Sequence, residues 1–223
     1  MKLSAVIFDV DGTLLDTEPL YMEAWRRAAK QFGFAMSEEF LQKTRGVNVR
    51  DSIVLFREYF GTAHTYDEVK AVRVTLAEEM ISKCSPSELL KPYAAETLDA
   101  LDRAGIRKAV ATSTEWSRNE LHLRQAGLWE RFSVFVTGDM VSHGKPNPDI
   151  FLAAAEKLGI DPAECVVAED SPAGVESAFR AGMTPVVIPD CVKPDAATLE
   201  RAAAVLHDLS ELPALLGRLK EAE

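Results

Sequence analysis

A doubly wound α/β fold, a parallel sheet with helices on both faces and a small helical unit inserted near its start, is what this sequence predicts. Short apolar runs rich in Val and Ile recur along the chain, each bounded by Gly, Pro, Asp or Ser. Helical patterns closed by a glycine alternate with them. One stretch, from about Glu18 to about Ser85, breaks the alternation and reads as helix throughout. With 223 residues, 47% of them hydrophobic, the chain can fill one large core and a small second one.

In chain order, the first strand is Leu3–Phe8, a nearly unbroken apolar run of the kind buried on both faces of a parallel sheet. Helical patterns follow over Leu20–Phe32, Ser37–Lys43, Arg50–Phe60 and Tyr66–Lys83, with Gly33, Gly46 and Gly61 between them. The chain crosses between core and insert near Leu14–Pro19 and Pro86–Pro92, and a proline in each crossing suits a hinged lid. The expected domains are therefore a core of residues 1–15 and 89–223 and a helical unit of residues 16–88. The core then continues as helix Ala95–Ala104, strand Lys108–Thr112, helix Glu115–Ala126, strand Ser133–Thr137, helix Asp149–Leu158, strand Cys165–Ala168, helix Ala173–Ala181 and strand Pro185–Ile188. Ala204–Leu206 is a weaker final strand.

Composition narrows the function. A formal net charge of -10, with no Lys/Arg cluster long enough to make a basic patch, argues against nucleic acid as a partner. The three cysteines, Cys84, Cys165 and Cys191, are far apart and form no CxxC pair, so neither a disulfide frame nor a zinc site is expected. No apolar run approaches a membrane span, and Leu3–Phe8 is too short for a signal peptide. The expected setting is cytoplasmic, with no membrane partner and a monomer or weak homodimer.

In an open parallel sheet, ligands bind outside the carboxyl ends of the strands. Asp9 and Asp11 follow the first strand; Thr112, Ser113 and Thr114 end the second; Lys145 lies in the loop after the third; Glu169 and Asp170 end the fourth. Each has an ordinary alternative taken alone: Asp-Gly is a common turn, Thr112 and Ser113 could cap the next helix, and Lys145 could be a solvated loop lysine. Gly144-Lys145 is not a phosphate loop, because Pro146 stands where Ser or Thr is required. Together on one rim, however, four carboxylates repel unless a cation sits among them, and oxygen ligands without thiols suit Mg2+. Lys145, the strand-end hydroxyls and the free N–H groups of the next helix then suit phosphate.

The order of these motifs resembles the haloacid dehalogenase superfamily, in its β-phosphoglucomutase-like and capped phosphatase branch. Asp9-Val-Asp11-Gly-Thr13, Thr112-Ser-Thr, Lys145-Pro-Asn-Pro and Glu169-Asp170-Ser-Pro-Ala-Gly174 look like its four motifs, and the helical insert matches its cap. The resemblance implies a Rossmann-like core and a Mg2+-dependent phosphatase acting on a small phosphorylated metabolite, a sugar phosphate foremost. Asp9 would be the nucleophile, forming an aspartyl-phosphate, and a metal ligand. Asp11 would be the general acid and then the base, its backbone carbonyl on the metal. Glu169 and Asp170 would complete the metal site, while Thr112, Ser113 and Lys145 would hold the phosphoryl oxygens. Asp11 favours phosphoryl transfer over dehalogenation, since displaced halide needs no acid.

Two other readings stand beside this one. A β-phosphoglucomutase would carry a histidine where Tyr21 stands, and its cap-loop arginine is displaced here by one within Gly46-Val-Asn48-Val-Arg50. A mutase needs cations in its cap for a second phosphate, and Arg45, Arg50 and Arg73 supply them. A phosphoaspartate signalling module would leave the insert unexplained. Arg45, Asn48, Arg50 and Tyr21 are the expected substrate contacts in the cap.

Overall fold

A computed structural model describes residues 2–44, 49–191 and 193–221. By its contacts the chain divides into two units, Met1–Asp16 with Ser85–Glu223, and Thr17–Cys84.

The first unit is built on a six-stranded parallel sheet: β1 (Ala5–Phe8), β2 (Arg107–Thr112), β3 (Val134–Thr137), β4 (Cys165–Glu169), β5 (Thr184–Val187) and β6 (Ala204–Val205), in the order β3-β2-β1-β4-β5-β6. The strands run outward from the centre in both directions, so β1 and β4 are neighbours although far apart in sequence. Phe8 registers with Val110 on one side and Ala168 on the other. All of β1 is buried, as an unbroken apolar run requires, and successive side chains serve opposite faces. Ala5 and Ile7 join a core with Ala109, Ala111, Val136, Val167, Ile150 and Phe151, while Phe8 meets Phe132 edge-on at 6.0 Å between centroids.

The second unit is helical: α1 (Glu18–Gln31), α2 (Glu38–Lys43), α3 (Val49–Phe60) and α4 (Tyr66–Ile81). Pro19 sits at the start of α1, where its missing N–H costs nothing. The Ser37 hydroxyl caps α2 by accepting from Phe40 N–H, and Thr65 and Glu68 form a reciprocal capping box on α4. Its core gathers Ala28, Phe40, Phe56 and Val69, with Phe34 and Phe60 packed against them. Ser52 is buried there too, and Tyr66 packs edge-on against Phe56.

The first unit resumes with α5 (Pro86–Leu89), α6 (Ala94–Arg103), α7 (Trp116–Gln125), α8 (Asp149–Leu158), α9 (Pro172–Arg180), α10 (Ala196–Arg201) and α11 (Leu212–Glu221). The expected strands and long helices are present within a few residues. The differences are local: α4 stops at Ile81 rather than Lys83, β6 is two residues long, and α5, α10 and α11 are additional. None of the described helices is long and apolar enough to cross a membrane.

Phe151 on α8 is fully buried against the sheet. Phe151→Ala should lower the unfolding free energy by about 3–5 kcal/mol, read as a drop in the denaturation midpoint at unchanged slope.

Candidate active site

The strand order reverses between β1 and β4, so their carboxyl ends flank the crevice where an open α/β sheet binds its ligand. Asp9 leaves β1 there, its N–H donating to Ala168 carbonyl at 3.0 Å, and Glu169 ends β4. Oxygens of Asp9, Glu169 and Asp170 lie within 4.8 Å of one another. Lys145 reaches in from the loop between β3 and α8. Its Nζ donates to Asp9 Oδ1 at 2.5 Å, Glu169 Oε1 at 2.7 Å and Ala111 carbonyl at 3.2 Å.

Burial sets the electrostatics of this group. The side chains of Lys145, Asp9 and Glu169 are 6%, 10% and 1% exposed. Burial pushes the Asp9 carboxyl up to about 7; Lys145 pulls it back only in part, and the charges of Glu169 and Asp11 push it further. Burial alone would lower the Lys145 ammonium, but attraction to Asp9 and Glu169 outweighs this and holds it above its usual value. Three carboxylates against one ammonium leave unbalanced negative charge. A closely spaced set of carboxylate oxygens without sulfur or nitrogen donors fits a hard divalent cation such as Mg2+.

Close backbone approach lets the acids gather. Glu169 Oε2 accepts from Ser171 N–H at 2.6 Å and from Ser171 Oγ at 2.9 Å. Ser171 Oγ in turn accepts from Gly174 N–H at 3.1 Å, so Ser171, not Asp170, caps α9. A Cβ on Gly174 would overlap the Glu169 carboxylate. Gly12, at φ +87°, is required twice over: its backbone is left-handed, and a Cβ would stand 2.5 Å from Asp170 Oδ2. Thr13 Oγ1 donates to Asp170 Oδ1 at 3.4 Å.

Asp11 stands apart from the three clustered acids. Its Oδ2 accepts from Thr114 Oγ1 at 2.7 Å. Thr112 is buried, and its Oγ1 accepts from Thr114 N–H at 3.2 Å; Ser113 is exposed in the same turn. Gly138 N–H donates to Thr114 carbonyl, tying this turn to the end of β3. Trp116 packs on Trp129 and Phe135 at the start of α7.

Of the expected contacts in the helical unit, Tyr21 is buried, with the Arg73 guanidinium 4.1 Å from its ring centroid. Arg50 is exposed at the start of α3. Arg45 and Asn48 lie outside the described residues. Sequence reading missed Thr114 as the partner of Asp11, and Ser171 and Gly174 as the support of Glu169. All three stand within the motifs quoted, but only packing distinguishes their roles.

A family model for haloacid dehalogenase-like hydrolases matches residues 3–182. The chain is 37% identical over 216 residues to a phosphorylated carbohydrates phosphatase of Thermotoga maritima, covering 96% of this chain and 90% of the relative. It is 30% identical over 187 residues to a β-phosphoglucomutase of Bacillus subtilis, covering 81% of each. Among solved structures, a hydrolase from Deinococcus radiodurans with bound phosphate and sodium superposes with a TM-score of 0.77 at 30% identity, over 97% of this chain and 96% of the other.

Gly174→Ala should displace the Glu169 carboxylate and break its bonds to Ser171. The expected outcome is a clear fall in turnover together with a lower melting temperature, checked by a phosphomonoester assay and differential scanning calorimetry.

Proposed function

The chain belongs to the haloacid dehalogenase-like hydrolases, and from that premise we propose that it is a Mg2+-dependent phosphatase of small phosphorylated metabolites, sugar phosphates foremost, working through an aspartyl-phosphate on Asp9. The observation that carries the reading is the meeting of buried Asp9 and Glu169 and half-buried Asp170 with Lys145 at the strand-order reversal. The relative that acts on phosphorylated carbohydrates supports the substrate class.

Asp9, Glu169 and Asp170 would hold the cation, with the Asp11 backbone carbonyl as a further ligand. When bound, Mg2+ supplies positive charge that relieves repulsion between an anionic nucleophile and an anionic phosphate. The chain does the rest. An Asp9 oxygen attacks phosphorus and the bond to the leaving oxygen breaks. Asp11, steadied by Thr114, gives that oxygen its proton. Asp11 then takes a proton from the water that attacks the aspartyl-phosphate, releasing inorganic phosphate and restoring Asp9. Lys145 stands beside Asp9 to neutralise the phosphoryl oxygens, with Thr112 and Ser113 at the end of the neighbouring strand β2. The helical unit is read as the cap and the source of the substrate contacts, Arg45, Asn48, Arg50 and Tyr21 among them.

A second reading, a β-phosphoglucomutase-like phosphotransferase, is favoured by Arg73, a cation held on the Tyr21 ring within the helical unit, and by the mutase relative. Incubation with β-glucose 1-phosphate and catalytic bisphosphate separates the two: the phosphatase yields inorganic phosphate, the mutase glucose 6-phosphate.

Over a panel of phosphomonoesters, Asp9→Asn should lose roughly a thousandfold or more in kcat, and undiminished hydrolysis would sink the mechanism. Asp11→Asn should lose about 10²–10⁴-fold on alkyl phosphates and much less on aryl phosphates, whose leaving oxygen departs without a proton. Chelation by EDTA should abolish turnover, and added Mg2+ should restore it.

A further inference from the structure

Next to the acids that end β1 and β4 lies another carboxylate, which no motif marks. Val187 at the end of β5 registers with Glu169, and Ile188 N–H donates to Glu169 carbonyl at 2.8 Å. The chain therefore leaves β5 alongside the acids that end β4, and two residues later it reaches Asp190. The Asp190 side chain is only 8% exposed. Its Oδ1 accepts from Lys91 Nζ at 2.7 Å, and Lys91 also reaches Asp16 Oδ1 at 3.3 Å. Its Oδ2 is buried with no hydrogen-bond partner among the described residues.

That oxygen is not turned at random. A Cβ on Gly12 would stand 3.2 Å from Asp190 Oδ2 and 2.5 Å from Asp170 Oδ2. Two carboxylate oxygens, that of Asp190 buried, converge on the bare backbone of one glycine, and of the two only Asp170 belongs to the cluster with Asp9 and Glu169. The ion pair with Lys91 explains Oδ1. It leaves Oδ2 facing a second negative charge without a donor, an arrangement that costs stability unless something in the site satisfies it.

We propose that Asp190 is an outer acid of the metal centre, its Oδ2 accepting a hydrogen bond from a water bound to the divalent cation, with Lys91 as the positioning residue. The proposal rests on reading the Asp9, Glu169 and Asp170 cluster as a Mg2+ site. Mg2+ dehydrates reluctantly and keeps several waters. Groups that accept from such waters orient them and tune affinity for the ion. Lys91 is itself anchored: its N–H donates to Leu14 carbonyl at 3.0 Å, and Asp16 N–H donates to Leu89 carbonyl at 2.8 Å. It holds Oδ1 and so leaves Oδ2 directed at Gly12.

The test is Mg2+ affinity by isothermal calorimetry on the full chain, with the metal-free melting temperature measured alongside. Asp190→Asn keeps the shape and an oxygen for Lys91; Asp190→Ser leaves room for water. Both should weaken Mg2+ binding roughly tenfold to a hundredfold, whatever the loss of the Lys91 ion pair does to the metal-free melting temperature. Parental affinity in both variants overturns the proposal. So does a fall in the metal-free melting temperature with affinity unchanged, which would make Asp190 a tether alone. A parent chain that binds no Mg2+ would overturn the metal-site reading instead, so the two failures are distinguishable.

Discussion

The charge balance at the ends of β1 and β4 is the constraint on which the rest of the site depends. Asp9, Glu169 and Asp170 are brought together, the first two buried, and Lys145 is the ammonium that bonds to those two. Such an ion pair is a poor device for stability, because taking the charges out of water costs about as much as their attraction returns. A group of this kind makes sense as a site for charged ligands. It exists because the parallel sheet reverses its strand order between β1 and β4, setting side by side two acidic strand ends that are far apart in sequence.

From that constraint follow the details of the surrounding loops. Gly12 and Gly174 carry no Cβ because Asp170 and Glu169 occupy the space. Ser171 turns one hydroxyl to two uses, capping α9 and holding Glu169. Thr114 donates its hydroxyl to Asp11. Two acids one residue apart differ in their partners: Asp9 accepts from Lys145, and Asp11 accepts from the Thr114 hydroxyl. Both acids lie beyond β1, which ends at Phe8.

Much of this was legible in the sequence. Apolar runs such as Leu3–Phe8 and Cys165–Ala168 marked strands buried on both faces, and glycines marked helix ends, because both signals are local. The rim residues followed from reading what stands after each strand. β6 is harder to read, since two residues give no periodicity, and α5 and α10 are too short to show a helical face. The Lys91–Asp190 pair could not be found from sequence: its members lie 99 residues apart and follow no motif. The Thr114–Asp11 bond, 103 residues in span, was hidden in the same way, although Thr114 sits inside a quoted motif. Which hydroxyl of Thr112, Ser113 and Thr114 faces an acid is decided by how β2 ends against the loop from β1, a fact of packing.

Asp9 is the residue proposed to take the phosphoryl group. The most direct test is to quench the enzyme in acid during turnover of a sugar phosphate, digest it, and locate the phosphate by mass spectrometry. The account predicts a phosphate-sized mass gain on the peptide from the β1 end, borne by Asp9 and absent in Asp9→Asn. A phosphoryl group recovered on Asp11, on a histidine or on any other residue while Asp9 stays unmodified would contradict it.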